Sequence, residues 1–228
     1  LAVPWGMLAD DHPFCVADRS LSVGPACDPL GDGEFNADLL SKITLDIERL
    51  FPGNECFHAN TPAAFQHKKT LVQILYIWSK CNLSIGYKQG LHEIVGLIYL
   101  NLHAESIIIP NTNTISKEDM AILRLFNVKY LAHDVFVIFN KFALELTVCT
   151  RFYDVELGLT ASVLSFNALL MKTDQLLHYT LTNKLKIELQ LWVIRYWRLL
   201  LSRELGSLEM SSKLWDKFVV LQPLTALP

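Results

Sequence analysis

Apolar residues recur every three or four positions along most of the chain, the spacing that places them on one face of a helix. Leu39, Ile43, Ile47 and Leu50 form the first such face, in a helix expected from Asn36 and stopped by Pro52-Gly53. A second helix is predicted from Thr61-Pro62, a capping residue followed by proline at the first helical position, to Lys80, with Leu71, Ile74, Leu75 and Trp78 as its buried stripe. After a turn over Cys81 to Gly86, a third helix is expected from Gln89 to His103, followed by a polar loop over 104–116. Further helices are predicted near 117–126, 130–148, 159–171, 173–181, 185–204 and 211–221. The β-branched run Ile107 to Ile109 is too short to build a sheet, so the fold class is all-α. Residues 1–34 hold four of the nine prolines and little periodicity, so an irregular segment should precede a helical domain over 35–228.

Composition narrows the class. With 51% hydrophobic and 19% charged residues among 228, the chain has the makeup of a globular domain. A net charge of −3 supplies no positive field for nucleic acid, which is excluded as a partner. The five cysteines are odd in number, widely spaced and without a C-x-x-C pair, which fits a reduced cytoplasmic compartment. The most apolar runs, 94–102 and 189–201, fall short of the ~20 residues a bilayer span needs, so direct membrane insertion is not expected. No signal-peptide pattern follows Leu1, and a start on leucine suggests a fragment.

Several chemistries fail on their spacing. Gly31-Asp32-Gly33 does not complete a G-x-G-x-x-G, since residue 36 is Asn, and no P-loop motif occurs. His92-Glu93 opens like a zinc-protease H-E-x-x-H, but residue 96 is Gly. The other histidines show no ligand spacing along the chain, so no metal is expected, and no G-x-S-x-G marks a nucleophile.

Two short patterns remain. In Ile43-Thr44-Leu45-Asp46-Ile47-Glu48-Arg49, Asp46 and Arg49 stand one helical turn apart, so the carboxylate can hold the guanidinium. Alone, this reads as an ordinary surface ion pair worth a few tenths of a kcal/mol. In Gly86-Tyr87-Lys88-Gln89-Gly90, two glycines bracket a tyrosine and a neutral amide at the mouth of the next helix. Alone, this reads as a loop that caps a helix.

In this order the two patterns resemble the I-x-x-D-x-x-R and Y-x-Q fingerprints of the TBC domain, the fold of Rab GTPase-activating proteins. His67 to Gly90 is similar to that family's helix followed by I-G-Y-x-Q-G; Tyr130-Leu131-Ala132-His133-Asp134-Val135-Phe136 resembles Y-L-x-H-D-x-(Y/F). Trp192 to Glu204 resembles W-x-R-L-L-F-x-R-E, and Trp215-Asp216 a further W-D signature. The resemblance covers about residues 29–220.

It implies a multi-helix domain that activates a GTP-bound Rab rather than an enzyme with its own turnover. Arg49 would place charge beside the β/γ-phosphates and Gln89 would orient the attacking water; Asp46 would hold Arg49, Tyr87 would shape the loop, and Gly86 and Gly90 would let the backbone approach the GTPase switch region. GTP and magnesium would belong to the partner, with no cofactor on this chain. Recruitment to endomembranes, of the Golgi or endosomes, would come through the Rab. The alternative is a Rab-binding scaffold that no longer accelerates hydrolysis. Trp5-Gly6-Met7-Leu8 is at best a remnant of the family's opening element, and only twelve residues follow Asp216, so the domain is expected to be shortened at its C-terminal end.

Overall fold

The structure, a computed structural model, describes residues 33–109, 116–144, 153 and 158–221. The chain divides into two units, 1–38 and 39–228; of the first, only the opening of a helix is described. The irregular segment expected over 1–34 therefore lies almost wholly outside the described residues. Among these there are ten α-helices and no strand, so the fold is all-α.

Helix α1 (Gly33–Glu48) turns one face inward: Ile43 and Ile47 are buried, as is Leu50 two residues past its end. It stops ahead of Pro52, and Phe51 and Gly53 carry positive φ in the turn that follows. A single helical turn, α2 (Glu55–His58), comes next, capped by Asn54, whose side chain accepts the Cys56 N–H. The sequence pattern does not foretell it, since four residues are too few to show a period.

Helix α3 (Pro62–Cys81) starts as expected, with Thr61 Oγ1 accepting the Ala64 N–H at 3.2 Å. Its stripe of Leu71, Ile74, Leu75 and Trp78 is buried to the last atom or nearly so. The Trp78 indole donates to Asn140 Oδ1 at 3.0 Å and packs edge-on against Phe139, which ties α3 to α6 (Leu131–Leu144). Helix α4 (Leu91–Glu105) is the central element, with every residue from Leu91 to Tyr99 buried. Gly96 allows this: a Cβ there would lie 2.8 Å from Leu50 Cδ2, so the end of α1 rests on the α4 backbone.

A short helix, α5 (Lys117–Leu125), is capped by Ser116 and followed by a 3₁₀ turn, Val128–Tyr130. Ile107 makes one isolated bridge with Asn127 and no sheet. The helix predicted over 130–148 is seen to Leu144; residues 145–150 lie outside the described set. Helices α7 (Thr160–Thr173) and α8 (Gln175–Tyr179), with a π-helical turn at Thr180–Lys184, precede α9 (Gln190–Arg198) and α10 (Leu208–Leu221).

One prediction needs correcting. The helix expected over 185–204 is only α9, and Leu200 and Leu201 beyond it stand at φ of 49° and 61°. Tertiary hydrogen bonds hold the break. The Trp215 indole donates to the Leu200 carbonyl at 2.7 Å, and the Ser211 hydroxyl to the Ser202 carbonyl at 3.1 Å. Leucine's helix propensity, a few tenths of a kcal/mol per residue, yields to these buried partners.

Candidate functional site

Asp46 falls on the inward face of α1 between Ile43 and Leu50, and only 7% of it remains exposed. A carboxylate so placed must be satisfied. Its Oδ1 accepts Arg49 Nη2 at 2.8 Å and its Oδ2 the Tyr87 hydroxyl at 2.7 Å. Arg49 lies just past the helix end, where Nε also donates to the Leu45 carbonyl at 3.2 Å. Two bonds thus fix one edge of the guanidinium, while 69% of the side chain stays in solvent. As an isolated surface pair this would be worth little; anchored on a buried carboxylate, the same contact sets direction.

The second pattern folds onto the first. Tyr87 reaches Asp46 from the loop before α4, and its hydroxyl lies 3.3 Å from His92 Nδ1. Burial, then the bond to Asp46, push the Tyr87 phenol above its ordinary pKa, so it stays a donor. Gly90, at φ 108°, is the N-cap of α4 and gives its N–H to His92 Nδ1 at 3.3 Å. That bond requires an unprotonated Nδ1, hence a neutral imidazole with its proton on Nε2. Gln89 sits in the turn immediately before Gly90, exposed. Gly86 turns at φ 63° with open space around it, whereas Gly90 is buried against Tyr153 and Leu199.

Arg49 and Gln89 line one open groove of about 1040 Å³, together with Asp46, Gly90, His92 and Glu93. The far wall is α9 and the turn after it, contributing Gln190, Arg195, Arg198 and Arg203. Glu93, 3% exposed on α4, binds Arg203 Nε at 2.7 Å and accepts from the Ser202 hydroxyl, so the broken end of α9 is clamped to the helix that follows Gln89. Arg195 pairs with Glu204 at 2.7 Å, and the Arg198 guanidinium stacks 5.0 Å from the Tyr153 ring. The groove therefore presents guanidinium groups from both walls and a neutral amide at its mouth. Asp46, Glu48 and Glu93 line it as well; Arg49, Arg195 and Arg203 are each already paired with a carboxylate, and of the three Arg49 keeps the largest share of its side chain in solvent.

The sequence does not single out His92 as part of the site; it shows only an H-E-x-x-H-like start whose second histidine is missing, residue 96 being Gly. Its part in the Asp46 cluster becomes visible only once α4 packs beneath Tyr87.

Burial lowers its pKa from 6.5 to about 4, with Asp46 pulling upward and Arg203 and Arg49 pushing down. The unfolded chain takes up this proton near pH 6.5 and the folded one does not, so stability falls as pH drops from about 6.5 toward about 4. Glu93 works in the opposite sense: burial raises its pKa, so its contribution grows as pH falls toward its unfolded value. Comparison with His92→Gln isolates the histidine. The stability difference between wild type and variant, from urea unfolding, should shrink by about 2 kcal/mol between pH 7 and pH 5. A difference independent of pH contradicts a buried neutral His92.

A family model described as Rab-GTPase-TBC domain matches residues 31–226. The chain belongs to that family. This TBC domain is 31% identical over 106 residues to TBC1 domain family member 5 homolog B of Dictyostelium discoideum, covering 46% of the chain and 10% of that protein. It is 25% identical over 190 residues to TBC1 domain family member 5 of Mus musculus, covering 73% and 23%. With Growth hormone-regulated TBC protein 1 of Xenopus tropicalis it shares 35% identity over 69 residues, 30% and 20% of the two chains. The TBC domain in hand thus spans less than a quarter of the length of each of these relatives. Among its described residues no helix is long and apolar enough to cross a membrane.

Proposed function

We propose that this TBC domain accelerates GTP hydrolysis by a Rab-family GTPase, with Arg49 and Gln89 entering the partner's nucleotide site. One observation carries the reading: Arg49 and Gln89, forty residues apart in sequence, line the same groove, with Arg49 held on a buried carboxylate that Tyr87 of the second pattern also holds.

Phosphoryl transfer asks little covalent chemistry of a protein, so a partner contributes charge and position. The Arg49 edge that faces away from Asp46 and Leu45 is suited to the developing charge on the phosphate oxygens. Gln89, uncharged and exposed, can both donate to and accept from a water without competing for its proton. GTP and Mg²⁺ arrive with the Rab, and this chain needs no cofactor of its own for the reaction. The domain acts in the cytoplasm and reaches endomembranes through its partner.

The test is single-turnover GTP hydrolysis across a panel of Rabs. The wild type should accelerate at least one of them, and Arg49→Ala/Gln89→Ala should return that Rab to its intrinsic rate. Acceleration that survives in the double variant refutes the assignment. Binding to GTP-loaded Rab without any acceleration by the wild type makes the domain a scaffold instead.

A further inference from the structure

Away from the groove, three elements bring together residues that the linear sequence keeps apart. Cys56 lies in α2, His67 in the second turn of α3 and His103 in the last turn of α4. One ligand atom from each lies within 4.8 Å of the others, and all three side chains are half-buried. Cys56 Sγ is 3.0 Å from His67 Nδ1, and the His67 and His103 rings meet edge-on with centroids 4.5 Å apart. Tyr99, one turn before His103 on α4, stacks on the His103 ring and tilts against His67, which gives the cluster an aromatic floor.

We propose that Cys56, His67 and His103 form a zinc site. Around a tetrahedral zinc, sulfur and imidazole nitrogens stand roughly 3.3–3.6 Å from one another, so the cluster needs only small side-chain rotations to close on an ion. A thiolate with two imidazoles selects zinc over magnesium or calcium, which take oxygen ligands. A thiol paired with His67 alone would not require the His103 edge; convergence of all three does suit an ion. Binding forms the Zn–S bond with release of the Cys56 proton to solvent, both imidazoles coordinate in neutral form, and water fills the fourth position.

The ion would staple α2 to α3 and α4. It would thereby steady the segment that follows Arg49, where His58 Nε2 already bonds the Leu50 carbonyl at 2.6 Å. The proposal does not depend on any Rab activity.

The purified, reduced chain, stripped with a chelator, is titrated with Co²⁺ and then Zn²⁺. An equimolar amount of Co²⁺ should produce thiolate-to-cobalt charge transfer and the strong visible absorption of a four-coordinate ion, and zinc should discharge both. Cys56→Ser should lose the charge-transfer band, while Cys81→Ser, at an exposed cysteine, should keep it. His103→Gln should weaken cobalt binding by more than about tenfold, the least that even an outer-shell loss costs at a zinc site. No band in the wild type, or a band that survives Cys56→Ser or disappears with Cys81→Ser, overturns the site. Should Cys56→Ser lose its helical circular dichroism, His103→Gln carries the test: cobalt affinity and a zinc-induced rise in Tm both equal to wild type overturn it.

Discussion

Replacing Arg49 by alanine should cut acceleration of the responsive Rab by about 10³–10⁵, the usual worth of an arginine supplied in trans, or roughly 4–7 kcal/mol of barrier. The same change should barely touch folding. Arg49 is 69% exposed, and Asp46 keeps its Tyr87 donor when the guanidinium is gone, so a loss of at most about 1 kcal/mol is expected. Catalysis and stability thus separate, which makes the variant informative. Arg49→Lys should be nearly as inactive as Arg49→Ala. The guanidinium reaches Asp46 Oδ1 with Nη2 and the Leu45 carbonyl with Nε while keeping further N–H groups for a phosphate. A single ammonium cannot hold that geometry and bridge oxygens too. Single-turnover hydrolysis beside a thermal melt decides it: a folded Arg49→Ala that still accelerates the Rab removes Arg49 from the reaction.

Gly90→Ala should do the opposite, with its main effect on the fold. At φ 108° the backbone is in a region that residues with a Cβ rarely adopt, and the added carbon would lie 2.5 Å from Tyr153 Oη and 3.2 Å from Leu199 Cδ2. Strain and overpacking together should destabilise the domain by about 3 kcal/mol. Tyr153 has little room to yield, since it is buried, its hydroxyl bonds the Arg198 carbonyl at 3.3 Å and Arg198 stacks on its ring. Gly86→Ala supplies the control: φ is positive there too, at 63°, but nothing lies within 4 Å of the new carbon, so only about 1 kcal/mol should be lost. Denaturant unfolding of the pair measures the packing term directly. Equal losses at the two glycines would mean that Tyr153 does not press on the Gly90 turn.

What the sequence makes legible is what is local. The Thr61-Pro62 start of α3, its Leu71–Trp78 stripe and the Asp46–Arg49 pair all lie within a turn or a regular period, and each stands as read. Interactions between distant segments leave no such trace. The break after Arg198 interrupts a leucine-rich run that any propensity would continue; it exists because Trp215 and Ser211, on another helix, take the freed carbonyls. His92 reads as half of a failed metal motif until Tyr87 and Gly90 close over it. Cys56, His67 and His103 show no ligand spacing because their proximity comes from the packing of three helices. The groove itself is of this kind, since α9 supplies a wall that neither fingerprint contains.

Asp46 is gripped from both fingerprints, by Arg49 through one oxygen and by Tyr87 through the other. Loss of Tyr87 therefore acts on Arg49 without altering it, and the two substitutions will not add in a double-mutant cycle. If Arg49 acts as proposed, Tyr87→Phe should leave its charge in place and loosen the carboxylate that directs it.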